Sequence, residues 1–341
     1  GLGSGSSGVL ELDGGALGSR IATIGLTGAG AYRQSGGELV VGETTYVGYN
    51  AGVQGFVELH GGDFTTTDLM LGQSGVGVLE QDGGDLIVAD DFYLGTNANG
   101  AGAYYLDGGN VSARRILVGV SGDSTMVQTG GNVSVRTGSS PTLVVAYYAV
   151  STSSYEIRGG TVSASMFYNG LEPWNEQHGG VGLTRVVGNA ATINVDGYYQ
   201  NALSTLEMQV GNGGVSPIQV SGTATLIAGT QLNMGLAGGV ALLTDRGFDL
   251  LTAGNVSGAF TLAESEPLWN VSQSGTLVQA ELAGAGLGPV TADYDTFVEL
   301  EVEAGNGATA GYASLLELEP GRTFWALLDV VQDGEALTGV A

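Results

Sequence analysis

"YRQSGGELVVG", residues 32–42, returns as "LEQDGGDLIVA" at 79–89 and as "MVQTGGNVSVR" at 126–136, each copy 47 residues after the last. Working outward, glycine pairs stand at Gly14-Gly15, Gly36-Gly37, Gly61-Gly62, Gly83-Gly84, Gly108-Gly109 and Gly130-Gly131, in alternating steps of 22 and 25 residues. A second marker, an aliphatic residue followed by glycine, falls at Gly25, Gly48, Gly72, Gly95 and Gly119 and gives the same period. A fixed period of this size marks a repeat architecture in which each unit stacks on its neighbours.

The units are strands. Glycine every few residues would cost about 1 kcal/mol apiece inside a helix, and no 3.6-residue periodicity is present. Before each marker the residues one and three positions back are Ile24 and Ala22, Val47 and Thr45, Leu71 and Leu69, Leu94 and Phe92, Val118 and Ile116. Their parity makes them the inward side chains of a short strand. After each glycine pair comes another apolar position: Leu17, Leu39, Phe64, Leu86, Val111 and Val133. Each unit reads as about three short strands separated by turns. The expected fold is all-β, a right-handed parallel β-helix or solenoid with coils of about 22–25 residues.

The glycine pair, represented by Gly37, Gly84 and Gly131, turns a corner within two residues. Glycine reaches positive φ freely and lets stacked backbones approach closely. Three residues before the second glycine, Leu12, Leu59 and Leu106 alternate with Gln34, Gln81 and Gln128. Parity puts all six inside. A buried amide must be hydrogen-bonded, so each glutamine is expected to pair with a corner backbone group or water. Rungs about 4.8 Å apart keep glutamines two coils apart from bonding each other.

Composition sets the function classes. The 341 residues include 62 glycines, 6 prolines and no cysteine, with 43% hydrophobic residues, too apolar for a disordered chain. A formal charge of −25 argues against nucleic acid and anionic membranes, which call for a basic footprint. Calcium-rich extracellular fluid suits such a surface. Without cysteine there is no disulfide, thiolate zinc site or cysteine nucleophile. No apolar run reaches the roughly 18–20 residues of a membrane helix. The chain starts at Gly1 with no signal-like segment, so the expectation is an exported chain from which the signal has been removed.

Four segments are expected: a regular solenoid over 1–168, an insertion loop over 169–190, further coils over 191–288, and a β-rich cap or assembly segment over 289–341. The insertion carries proline, tryptophan and histidine, and Trp174 and His178 are its candidate partner-binding residues. "YYQNALSTLEMQV" (198–210), "VSGTATLIAGTQLNM" (220–234) and "FDLLTAGNVSGAF" (248–260) resemble the C-terminal end of bacterial autotransporter passenger domains and related exported β-helix repeat proteins. The resemblance implies a right-handed β-helix on a bacterial surface and no particular activity.

Chemistry is sparse. Four positions before the marker stand Ile21, Thr44, Asp68, Asp91 and Arg115 on successive coils. Asp68 beside Asp91 suggests a solvated face with one ion pair, a weak Ca²⁺ site or an acid/base pair. His60 sits at an exposed turn. No nucleophile-elbow, zincin, P-loop or RTX pattern occurs. Two positions before the marker, where parity points outward, lie Thr23, Tyr46, Met70, Tyr93 and Leu117. Such an apolar stripe fits a protein contact, an intrachain cover or a glycan surface.

The leading expectation is a noncatalytic extracellular structural protein, a β-solenoid subunit of a bacterial surface filament, layer or adhesin. Its partner would be itself, through the solenoid ends, the stripe of Tyr46, Met70, Tyr93 and Leu117, or the C-terminal strands. The alternatives are a glycan- or host-binding adhesin and a polysaccharide lyase or hydrolase. No cofactor is expected beyond Ca²⁺, no nucleic acid and no membrane insertion.

Overall fold

A computed structural model describes residues 5–136, 139–148, 150–170, 179–238, 247–262 and 269–282, and the strands Phe297–Leu300, Gly311–Ser314, Leu327–Gln332 and Glu335–Val340. Among the described residues there is no helix. The chain winds into a β-solenoid of parallel stacked coils with two long sheets. Sheet A has 11 strands, beginning Ser7–Leu12, Ala29–Gln34, Gln54–Leu59, Val76–Gln81 and Ala101–Leu106. Sheet B has 14, and its typical strand is longer, as in Glu38–Val47, Asp63–Leu71 and Asp85–Leu94.

Each coil therefore has two walls where the sequence suggests three strands. The two runs between the glycine pair and the marker join into one strand of 9 or 10 residues. A register irregularity bends it, between Val41 and Thr44 in one coil and between Thr66 and Leu69 in the next. Inside the bend the Thr45 hydroxyl bonds that of Thr66 at 3.1 Å, and both residues are buried.

The bore is filled by columns in register. Tyr32, Val57, Leu79, Tyr104, Met126 and Tyr155 stack along sheet A, facing Leu69, Phe92, Ile116 and Phe167 of sheet B. The glycine pair has two separate causes. Its second member carries positive φ, +75° at Gly37, +68° at Gly84 and +65° at Gly131. Its first member does not, but a Cβ on Gly36 or Gly61 would lie 2.9 or 2.7 Å from the carbonyl oxygen of Asp13 or Ser35 on the coil beneath.

Gln34, Gln81 and Gln128 are buried in the same corner. Each Nε2 donates to the glycine carbonyl of its own corner, Gly37, Gly84 or Gly131, and to one carbonyl of the next coil, Asp63, Asn110 or Thr161, at 3.0–3.2 Å. Each Oε1 accepts a buried tyrosine hydroxyl, from Tyr32, Tyr104 or Tyr155, at 2.8, 2.7 and 2.5 Å. Desolvation raises all three tyrosine pKa values, Tyr32 to about 12, so the phenols stay neutral donors.

Two segment expectations change. Val181–Val187 is a strand of sheet A, paired with Thr152–Ile157 and Thr205–Val210, so a loop does not run through to 190. Its inward Thr184 masks the apolar alternation that marks the other sheet A strands. The C-terminal end of sheet B is closed inside the segment expected to be coils: Gly247–Ser257 pairs antiparallel with Leu277–Leu282, which pairs antiparallel with Trp269–Gln273. Residues 289–341 fall largely outside the described residues; Phe297–Leu300 pairs with Gly311–Ser314 and Leu327–Gln332 with Glu335–Val340, both antiparallel.

Candidate functional site

The bend in sheet B turns two consecutive residues, Asp90 and Asp91, away from the bore. Stacking then brings Asp68 from the coil beneath and Arg114 and Arg115 from the coil above. Asp68, Asp90 and Asp91 are the one group of three metal-type ligands found among the described residues, with donor oxygens within 4.8 Å of one another. Asp91 is the most heavily committed of the three. Asp91 Oδ1 accepts Arg115 Nε at 2.6 Å and Arg114 Nη2 at 2.9 Å; its Oδ2 accepts Arg115 Nη2 and the Tyr93 hydroxyl. Asp90 is paired with Arg114, and Asp68 Oδ1 accepts the Asp91 backbone N–H at 3.1 Å.

Two guanidinium groups against three carboxylates leave a net charge of −1. Burial pushes the Asp68 carboxyl up, and the negative charges of Asp91 and Asp90 add to the rise. Burial acts the same way on Asp91, but hydrogen bonds from Arg115 and Tyr93 and the charges of Arg115 and Arg114 outweigh it and hold its carboxyl below the usual range. Splitting neighbouring pKa values apart is how enzymes separate an acid from a base. Here all the bonding capacity of Asp91, which is 3% exposed, is spent on its own protein, so it has none left to bind a cation or move a proton.

The outward stripe is broken. Tyr46, Met70 and Tyr93 are half-buried, and the Tyr93 hydroxyl is committed to Asp91. Leu117 is 2% exposed, packed with Val144 and Val120 beside Tyr147. As a partner-binding residue Leu117 is therefore corrected: it is covered within the chain, where Val120, the residue after its marker, packs against it with Val144. Tyr49 does the same for Tyr46, ring centroids 4.9 Å apart. Trp174 and His178 lie outside the described residues. His60 is exposed, as its turn position suggests, with Nδ1 2.8 Å from Asp82 Oδ1 on the next coil.

A second feature was not apparent in the sequence. The outer face of sheet A holds a shallow trough of about 350 Å³, floored by Ala103, Thr125 and Ser154 and walled by Val76, Tyr105 and Leu183. It exists because small side chains occupy three successive rungs between bulky ones. Its single carboxylate, Asp123, accepts the Thr152 N–H through Oδ1 at 2.8 Å. Val76, Tyr105 and Val181 are exposed apolar side chains on the same face, at separate places along it: Val76 pairs with Ala101, Tyr105 with Glu80 and Val181 with Thr152.

All nine basic residues are arginine. The seven described ones each pair with a carboxylate, and all of these ion pairs except Arg158 with Glu156 run from one coil to another: Arg33 bridges Glu11 and Glu58, and Arg185 bridges Glu156 and Glu207. Among described residues no helix is long and apolar enough to cross a membrane. The chain matches no protein-family model, and no curated protein matches it.

Proposed function

We propose that the protein is a noncatalytic structural β-solenoid of a bacterial cell surface, an exported rod that builds or decorates a filament, layer or adhesin. The resemblance to autotransporter passengers supports export. The observation that carries the noncatalytic reading is the saturation of Asp91: hydrolysis or elimination on a polysaccharide needs a pair of groups free to take a proton or a cation, and the buried carboxylate of this cluster is filled by Arg114, Arg115 and Tyr93. Self-association would use apolar side chains exposed on the outer faces of the two sheets, Val76, Tyr105 and Val181 on sheet A and Val40 and Ile87 on sheet B.

Negative-stain images of the purified chain, with a reducing-sugar assay on neutral and acidic polysaccharides, test this. Laterally associated rods without depolymerase activity are expected. Isolated rods at high concentration, or activity lost in Asp91→Asn, would count against it.

The trough favours a second reading, glycan binding. An exposed tyrosine ring beside Thr125, Ser154 and Asp123 offers the stacking surface and hydroxyl partners that a sugar uses. A glycan array with no hit, or hits that survive Tyr105→Ala, would remove it.

A further inference from the structure

The outer face of sheet A is patterned along the rod as well as across it. Its strands from Ser7–Leu12 to Val181–Val187 are eight successive rungs. The middle outward ladder carries Val9, Ala31, Phe56 and Val78 on rungs 1 to 4. It continues with Ala103, Thr125, Ser154 and Leu183 on rungs 5 to 8. Bulk is therefore offset: Phe56 and Val78 stand out on rungs 3 and 4, and the trough sinks over rungs 5 to 7. Charge is offset in the same way two residues further along each strand. Glu11, Arg33 and Glu58 occupy rungs 1 to 3, Glu156 and Arg185 occupy rungs 7 and 8, and uncharged Tyr105 and Val127 lie between them on rungs 5 and 6.

Turning one copy about an axis parallel to the strands lays sheet A face to face on sheet A, with strand direction kept and rung order reversed. Each ladder then meets itself, and only the register along the rod is left to choose. Setting rung 4 of each copy over rung 5 of the other places Phe56 over Thr125, Val78 over Ala103 and Val76 over Ala101, each time a large side chain over a small one. The same register places Glu11 over Arg185 and Arg33 over Glu156. A shift of one rung brings Arg33 onto Arg185 or Glu11 onto Glu156, and a shift of two brings Glu80 onto Glu156 or Glu58 onto Glu80. Size and charge thus select one register independently. Eight rungs at about 4.8 Å by six residues at about 3.3 Å cover roughly 760 Å² per copy, close to the roughly 800 Å² per partner of a stable interface.

We propose that the outer face of sheet A is a two-fold interface between antiparallel copies of this chain, with Phe56 of each copy seated in the trough of the other and Arg33 of each paired with Glu156 of the other. This names the partner and the face of the self-association proposed above and rests on that reading. Two-fold symmetry makes every contact occur twice.

Sedimentation equilibrium on the purified chain and its variants tests it, with circular dichroism confirming that each variant keeps its strands. The chain should dimerise. Ala103→Arg, at the centre of the interface and pointing outward, should leave monomers, whereas Val40→Arg on the outer face of sheet B should change nothing. Arg33 and Glu156 are five rungs apart in one chain, so they can meet only between copies. Arg33→Glu alone and Glu156→Arg alone each set like charges together twice and should weaken the dimer about tenfold or more, while an equimolar mixture of the two should recover to within about threefold, because both contacts in the mixed dimer attract. If either charge variant loses its strands, Ala103→Arg against Val40→Arg decides alone. A dimer that Val40→Arg dissociates and Ala103→Arg spares, or folded charge variants that do not recover on mixing, would overturn this interface and leave self-association standing. Monomers at every concentration would overturn both.

Discussion

Replacing Gln81 by leucine tests why a polar side chain recurs in an apolar bore. The change makes the column wholly aliphatic from Leu59 to Leu106 and gains about 1 kcal/mol of apolar transfer. It also removes three hydrogen bonds: two from Nε2 to the Gly84 and Asn110 carbonyls and one accepted from Tyr104. Gly84 keeps a second partner, the Asn110 N–H at 3.0 Å. Tyr104 does not share this relief: its ring is fully buried and its hydroxyl is left with no acceptor. An orphaned buried donor costs about 1–3 kcal/mol and each lost bond about 0.5–1.5, so the net loss for Gln81→Leu is about 2–4 kcal/mol. Tyr104→Phe alone should cost about 1–2 kcal/mol, and the double variant about 1–2 kcal/mol less than the sum of the singles, because the orphan is gone. Urea unfolding followed by far-UV circular dichroism measures the cycle, with hydrogen exchange of Asn110–Val118 as the local readout should the coils unfold in stages. A neutral Gln81→Leu, or strict additivity, would refute the reasoning.

Other expectations follow from the corners and the bend. Gly83→Ala places a Cβ on the His60 carbonyl oxygen and should cost about 3 kcal/mol or more in the same assay, whereas Gly14→Ala should change stability by less than about 0.5 kcal/mol. Ala146 occupies a marker position with φ of +58°, and Ala146→Gly should raise stability by about 0.5–1 kcal/mol if left-handed strain outweighs the lost methyl. Asp91 has a depressed pKa, so its stabilising contribution is present above the ordinary carboxylate range and fades as pH falls through its folded-state value. Asp91→Asn should therefore cost about 2–4 kcal/mol at pH 7 and progressively less as pH falls through the lowered folded-state value of Asp91. Asp68 has the opposite sign: its raised pKa means a penalty that appears as pH rises, so Asp68→Asn should stabilise by about 0.5–1 kcal/mol at neutral pH and have no effect in acid.

The period, the corner glycines and the inward columns were legible because they are one-dimensional: stacking in register forces the same residue type at the same spacing. What lay hidden depends on contacts between coils or on chain folding back. Asp91 and Arg115 stand on one ladder in the sequence, but the second guanidinium on Asp91, from Arg114, and the burial of that carboxylate depend on the bend, which shifts register between Ala113 and Arg115. The burial of Leu117 comes from Val120, two residues beyond the strand. Gly55, Gly77 and Gly102 are inward strand positions where the backbone or side chain of the opposite wall leaves no room for a Cβ, a role their spacing alone does not show. The trough followed from small residues on adjacent rungs, a pattern visible only once Ala103, Thr125 and Ser154 are known to be neighbours.

Register is the claim on which the rest depends, and the absence of cysteine makes it directly measurable. Val78 and Ala103 face outward on adjacent strands of sheet A and are register partners, whereas Val78 and Thr125 are two rungs apart. Neighbouring rungs lie about 4.8 Å apart, within disulfide reach, and next-neighbours do not. Under mild oxidation, the Val78→Cys, Ala103→Cys pair should close to an intramolecular disulfide while the Val78→Cys, Thr125→Cys pair stays reduced. An open 78–103 pair, or a closed 78–125 pair, would contradict the stacked-coil architecture.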